Sequence, residues 1–394
     1  MNNRHRSNLR GSMAIVGAAD TEVGLLPGRS PTELCVEAAL LALKDAEIDK
    51  SSIDGLITCN SFAEPILYHA EAIAEYLQIF PGFCATVNTG GGTTLGVLQQ
   101  AAAAIYAGVA NTVLISMADS MRSFMTREQA MLAQSSTGHP QFEQPFGPSV
   151  PAYYALIGQA HMAEYGTTSE QYAEVAVSCR AHAMRNPTAQ MRDPITVEDV
   201  VASRLIADPL HLLDCSLVSD GGSALIVTSA ERALDFPHQP VYMLGIGEAH
   251  SHEHISQAVS LTTSAAVESG QKAYQMAGLT AADMNFAQLY DCFTPTVLIE
   301  LEDLGFCEKG SGGAYLQSGA TYPGGVLPVN THGGMLSHCH PGNPGAMYAL
   351  TETVWQLRGT AGARQVRNAE VALVHAQGGI MSSHSTAIFA REVS

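Results

Sequence analysis

The chain has 394 residues, 46% of them hydrophobic, which exceeds a single core and predicts about two domains or a duplicated unit. A formal net charge of -18 and the absence of basic runs exclude a nucleic-acid partner and an anionic membrane surface. Charged residues make up only 14%, against roughly 25% in an average soluble protein, so much of the surface is expected to be buried in an obligate oligomer.

In chain order, residues 1–12 (MNNRHRSNLRGS) read as a disordered, polar leader rather than a targeting signal. The segment ALKDAEIDKSSIDGLITCNSF from Ala42 is echoed at a constant offset by AYQMAGLTAADMNFAQLYDCF from Ala273. Ala46 matches Ala277, Ile48 matches Leu279, Ile53 matches Met284 and Phe62 matches Phe293. In each copy an apolar-striped helix ends, a short turn follows and a strand begins. A Gly-rich loop, a second helix and a β-rich strand come next: GGGTTLGVLQQAAAAIYAG and TVLISMAD in the first half, HPGNPGAMYALTETVWQLRG and VALVHAQGG in the second. Alternation at this spacing predicts parallel sheets covered by helices, duplicated, with the site where the halves meet. The first half covers 13–119 and 206–235 and the second 236–394. Residues 120–205, rich in Met, His and Tyr, are expected to form an inserted lid. Eight cysteines without Cys-x-x-Cys spacing, and no apolar run of about 18 residues, predict a cytoplasmic protein with reduced thiols.

The loop TVNTGGGTT, residues 86–94, leads into a small-residue helix. A Gly-rich turn closing into a helix presents backbone N–H groups at a positive helix end, which suits a carbonyl oxygen or an anion. Chemistry at such a turn usually adds a side-chain nucleophile, yet Gly90, Gly91 and Gly92 supply none, and Cys84 lies upstream in a predicted strand. Neither His250, His252 and His254 nor His332, His338 and His340 has the closed ligand spacing of a structural zinc site, so no metal is expected. The Gly run also lacks a P-loop or dinucleotide fingerprint.

Together, 88-NTGGGTT-94, CSLVSDGGSALIV around Asp220, YDCFTPTVLIELEDLGFC at 290–307 and VLPVNTHGGMLSHCHPGNPG at 326–345 resemble the thiolase superfamily, in its sterol-carrier-protein and lipid-transfer branch. The C-terminal ARQVRNAEVALVHAQGG fits too. The resemblance covers nearly the whole chain in order. It implies a thiolase fold: α/β, with duplicated βαβαβαββ halves in layered αβαβα arrangement, a homodimer, and a CoA thioester as substrate.

Departures from the pattern set the functional reading. Gly91 stands where the family's acyl-accepting Cys belongs, and Tyr290 where this branch has a His. The His of the Gly-His-Pro motif survives as His340, behind Cys339 in place of Gly. At the second thiolase Cys stand His375 and Ala376, followed by Gly378 and Gly379. Thiolysis needs a thiolate as attacker and leaving group, and Gly91 cannot provide one. The retained parts can stabilise a CoA-thioester enolate through His340 and the backbone N–H groups of Gly91, Gly92, Gly378 and Gly379. As a histidine, residue 340 is also expected to titrate near neutral pH. Retro-aldol cleavage of a bulky β-hydroxyacyl-CoA makes that enolate without a nucleophile, and Tyr290 and His340 form the acid–base pair. The resemblance adds that lipid-transfer-type relatives with a Tyr-Asp-x-Phe motif include aldolases that remove steroid side chains with a small OB-fold, zinc-ribbon-like partner. Any zinc would sit in that partner; the chain needs no cofactor of its own. Two other readings compete: an acyl-CoA acyltransferase using Cys292 or Cys339, and a catalytically silent lipid-binding or scaffold subunit.

Overall fold

The computed structural model describes residues 9–126, 128–129, 132 and 137–393. Most of the expected leader thus lies outside the described residues. Its last residues are held: the Gly11 N–H donates to Met243 O at 2.8 Å and Arg10 Nε to Ala277 O at 3.0 Å.

The first half begins with β1 (Met13–Asp20), α1 (Pro31–Asp45) and β2 (Gly55–Cys59). Pro31 opens α1, and Ser30 and Glu33 close a capping box that satisfies its first backbone donors. Next come α2 (His69–Leu77), β3 (Phe83–Val87), α3 (Thr93–Tyr106) and β4 (Thr112–Ser120). An excursion then runs through α4 (Met121–Phe124), α5 (Val150–Tyr165), α6 (Ser169–Ala183), α7 (Val197–Ala202) and a two-stranded sheet of β5 (Leu205–Ala207) and β6 (Leu210–His211). The chain regains the main sheet at β7 (Asp220–Ser229), so residues 206–219 form a side hairpin and a connecting loop. The second half contains β8 (Val241–His250), α8 (Ala266–Ala277), β9 (Phe286–Gln288), α9 (Thr294–Asp303), α10 (Gly312–Gln317), α11 (Gly334–Ser337), α12 (Met347–Arg358), β10 (Val371–Gly378) and β11 (Ser383–Ala390).

The main sheet has the order β3-β2-β4-β7-β1-β8-β11-β10-β9. The duplication is legible in it. β2 pairs in parallel with β3 and β4, β4 antiparallel with β7, and β7 antiparallel with β1. In the second half β9 pairs in parallel with Val329 and β10, β10 antiparallel with β11, and β11 antiparallel with β8. The halves join where β1 meets β8 through two residue pairs, Ala14 with Tyr242 and Ile15 with Val241.

The expectation of parallel sheets is therefore corrected to mixed ones. Helical crossovers make the parallel neighbours, but β10 and β11 are joined by the short turn 379–382, which can link only antiparallel strands. Gly379 and Met381 adopt positive φ of 64° and 54° in that turn.

Helices α3 and α12 are buried along almost their whole length and contact strands of both halves. Fully buried Leu95 and Leu98 on α3 and Met347 and Leu350 on α12 belong to one apolar core that spans the junction. At the start of the excursion, Asp220 at the head of β7 accepts the N–H groups of Arg122 at 2.8 Å and Leu26 at 2.8 Å. No helix among the described residues is long and apolar enough to cross a membrane.

Candidate active site

A cavity of about 380 Å³ opens where the halves meet, lined by Gly90, Gly91, Tyr290, Cys292, His340, Gly378 and Gly379. The repeat delivers one matched pair of side chains to it, Phe62 from the first half and Phe293 from the second. Met121, Thr137, Val150 and Pro151 of the excursion also line it. Residues 127, 130–131 and 133–136 of the expected lid lie outside the described residues.

Tyr290 is fixed by its main chain. Its N–H donates to Glu300 Oε2 at 2.9 Å and its carbonyl accepts from Thr296 Oγ1 at 2.8 Å, both from α9. The next residue, Asp291, accepts the N–H groups of Met335 at 2.8 Å and Leu336 at 3.1 Å, tying the Tyr290 loop to α11 and the strap 338–340. These ties set Tyr290 Oη 3.4 Å from His340 Nε2, with the rings edge to face at 87°.

The feature that explains the glycine at 91 is steric. A Cβ built there would lie 2.1 Å from Tyr290 Oη, 2.3 Å from its Cζ and 2.4 Å from Gln377 O. The tyrosine hydroxyl occupies the room a nucleophilic side chain would need. The two glycine loops also touch backbone to backbone: a Cβ at Gly378 would meet Thr89 O at 1.8 Å, and one at Gly90 would meet Gly379 N at 3.0 Å.

Burial controls the protonation states. It holds His340 down from the ordinary 6.5 to about 4, so the imidazole is neutral; the expectation that it titrates near neutrality is corrected. Tyr290 is held well above its ordinary 10 by burial, then by Cys292, Asp291 and Glu300, so the phenol stays protonated.

The remaining sequence-predicted residues divide. Gly92 is the N-cap of α3, where a Cβ would face Ser383 O at 3.3 Å, and it does not line the cavity. Cys292 lines the cavity, but burial raises its thiol and its Sγ accepts from Gln377 Nε2 at 3.2 Å. Cys339 is 1% exposed, lies outside the cavity, and is raised well above 9 by burial and by Asp20 and Asp291. Among the described residues neither thiol has a positive neighbour that would favour a thiolate. His375 turns from the site: Nδ1 meets Thr386 Oγ1 at 2.8 Å and Nε2 meets His384 Nδ1 at 3.0 Å. Ala376 is fully buried. Of the suspected histidine clusters, the second splits between a His332–His338 edge-to-face pair with centroids 5.4 Å apart and His340 against Tyr290, and the first is used residue by residue. His250 pairs with Ser383 Oγ at 3.1 Å, His252 Nε2 donates to Ile380 O at 3.1 Å, and His254 meets the His139 ring edge-on. Among the described residues no group of three or more His, Cys, Asp or Glu side chains could hold a metal.

Sequence reading missed three contributors. Gln377 Nε2 donates to Tyr154 Oη at 2.8 Å, and Tyr154 donates to Gly379 O at 3.0 Å, pinning the second glycine loop while its ring stacks on Phe293. Ser216 Oγ lies 2.9 Å from His340 Nδ1. Ser216 and Gln377 stand inside the motifs CSLVSDGG and VHAQGG, but Tyr154, in the excursion, carried no signal.

The repeated halves, the buried central helices and the facing glycine loops define a thiolase-type fold in which the Tyr290 hydroxyl fills the space beside Gly91. The domain families "Thiolase, N-terminal domain" and "Thiolase C-terminal domain-like" match residues 13–231 and 247–391. The chain belongs to the thiolase family. A steroid side-chain-cleaving aldolase of Thermomonospora curvata is 37% identical over 377 residues, spanning 90% of this chain and 92% of that protein. The 17-hydroxy-3-oxo-4-pregnene-20-carboxyl-CoA lyase of Mycobacterium tuberculosis is 38% identical over 391 residues, spanning 95% and 98%. An acetyl-CoA acetyltransferase of Methanothermobacter thermautotrophicus is 33% identical over 383 residues, spanning 96% and 99%. The solved structure of an Ltp2-ChsH2(DUF35) aldolase superposes with a TM-score of 0.87 at 36% identity, covering 98% of this chain and 99% of that one.

Proposed function

We propose that this protein is a carbon–carbon lyase that cleaves a bulky β-hydroxyacyl-CoA, of the steroid side-chain type, by retro-aldol chemistry. The observation that carries the reading is the Tyr290 hydroxyl in the space of a side chain at 91. It removes the acyl acceptor and installs a proton-transfer group at the same point.

In the proposed step the β-hydroxyl proton passes to Tyr290 Oη as the phenol's own proton passes to His340 Nε2. The Cα–Cβ bond breaks, the β-carbon leaves as a ketone or aldehyde, and the electron pair moves to the thioester as an enolate. The N–H groups of Gly91 and Gly378 are the proposed donors to its oxygen. Burial disfavours a lone imidazolium, but here it forms together with the enolate, so the site holds a pair of opposite charges. The proton then returns through Tyr290 to Cα, and no net proton is exchanged. This needs no metal of the chain's own.

Apolar Phe62, Met121, Val150, Leu217 and Ile380 around the cavity support a bulky acyl body. The reading extends to a homodimer, to a small OB-fold partner of the DUF35 kind, which would carry any zinc, and to the cytoplasm, where eight free cysteines would stay reduced. The test incubates the purified chain, alone and with a co-expressed DUF35 protein, with 17-hydroxy-3-oxo-4-pregnene-20-carboxyl-CoA and with acetoacetyl-CoA. The expected result is a steroid ketone and a shortened acyl-CoA in equal amounts, with no mass added to the protein. Thiolysis of acetoacetyl-CoA with an acyl-enzyme would overturn the reading in favour of an acyltransferase, and no turnover of any thioester would favour a silent subunit.

A further inference from the structure

The loop 215–219 crosses the site and is bonded to both segments that carry the acid–base pair. The Ser216 N–H donates to Cys292 O at 2.9 Å, Leu217 N–H to Met335 O at 3.0 Å, and Ser219 N–H to His340 O at 3.1 Å. In return the His340 N–H donates to Ser219 Oγ at 3.0 Å. Loop and strap are therefore bonded to each other, and Ser216 Oγ is held 2.9 Å from His340 Nδ1 on the wall of the cavity.

A neutral imidazole carries a single ring proton, and the hydrogen bond at one nitrogen decides what the other presents. Tyr290 stays protonated, and among the described residues the acceptor within reach of its hydroxyl is His340 Nε2. Nε2 must then present its lone pair, which puts the ring proton on Nδ1, where Ser216 Oγ accepts it; the backbone of the neighbouring Leu217 also bonds the ring from the same loop. With its oxygen engaged as an acceptor, the Ser216 hydroxyl keeps its own proton for the cavity.

We infer that Ser216 is a positioning residue that fixes His340 in the Nδ1–H tautomer, so that Nε2 is the terminal acceptor for the proton relayed through Tyr290. This rests on the lyase reading for its kinetic consequence, though not for the tautomer itself. Each proton passed to Nε2 leaves an imidazolium whose Nδ1–H still donates to Ser216. The same contact thus orients the resting ring and supports the charged one, and no atom is exchanged with the serine.

The experiment compares Ser216→Ala and Ser216→Thr in the full chain with its partner, using the steroid thioester. Wild-type-like thermal melts establish that each variant folds. The expected result is a fall of about 10- to 100-fold in kcat for Ser216→Ala with KM within about threefold, and a return to within about fivefold for Ser216→Thr, which restores the oxygen. A second readout needs no substrate: ¹⁵N-histidine spectra, assigned with His340→Gln, should show a single Nδ1–H form that becomes a tautomer mixture in Ser216→Ala. An unchanged kcat in Ser216→Ala, an equal loss in Ser216→Thr, or a wild-type ring protonated on Nε2 would each overturn the inference. If no thioester turns over but the spectra behave as expected, the lyase reading fails and the tautomer assignment stands.

Discussion

Replacing Gly91 with cysteine restores the residue type of a thiolase nucleophile in a place with no room for it. The new Cβ would stand 2.1 Å from Tyr290 Oη and 2.4 Å from Gln377 O, more than 1 Å and about 1 Å inside ordinary contact at about 3.4 Å. The tyrosine could swing aside only by leaving a site where it is 5% exposed, and the carbonyl is main chain of β10 and has nowhere to go. Overpacking of this kind costs about 1–3 kcal/mol. For a half of this size that lowers the melting temperature by about 2–4 °C per kcal/mol. Lyase turnover should drop at least about 10²-fold, because the displaced phenol loses its line to His340. Gly91→Ala should do nearly the same, which separates crowding from thiol chemistry. The assays are differential scanning calorimetry, ketone release and intact-protein mass after acetoacetyl-CoA. A Gly91→Ala variant with wild-type melting and turnover would refute the steric argument, and an acyl adduct on Gly91→Cys would show that the tyrosine yields easily.

Tyr290→Phe keeps the ring and deletes the proton carrier, so kcat should fall about 10²- to 10⁴-fold while KM barely moves; wild-type kcat would make the tyrosine a packing residue. His340 takes up its proton only as pH falls toward about 4, so the neutral acceptor persists below the 6.5 of a free histidine. The kcat/KM profile should accordingly stay level from pH 7 down to about 5, and an acid limb at 6 to 7 that disappears in His340→Asn would contradict this. Iodoacetamide should leave turnover intact, since burial keeps Cys292 and Cys339 as thiols; stoichiometric loss mapped to either residue, and reproduced by Ser substitution, would restore a covalent route.

Much of the architecture is visible in the chain because local patterns encode it. The helix capped by Ala46 and the one ending at Ala277 repeat the same apolar spacing, and the strands after Ile53 and Met284 fall where that spacing places them. The antiparallel turn at 379–382 was hidden, because Gly-Gly-Ile-Met-Ser is also what a donor loop looks like. Gly91, Tyr290 and His340 could be located singly by motif. Their relation could not, since it depends on where a phenol ends when two distant loops close on each other. The protonation state of His340 was illegible for a similar reason: burial sets it, and the ring's hydrogen-bond partners come from 215–219 and 290–293 rather than from its own loop. Tyr154 was invisible because nothing in the excursion's sequence says which helix face meets Phe293.

The fit of Tyr290 into the volume beside Gly91 also imposes an order on change. A chain with a cysteine at 91 can hold the tyrosine only by pushing its hydroxyl out of line with His340, since both would claim the same space. A chain with glycine at 91 and a smaller ring at 290 leaves only a void, a defect that proteins commonly tolerate at a cost of about 1–3 kcal/mol. A lineage moving between nucleophilic and proton-shuttling chemistry on this scaffold therefore keeps its phenol in line only if the glycine is in place before the tyrosine arrives.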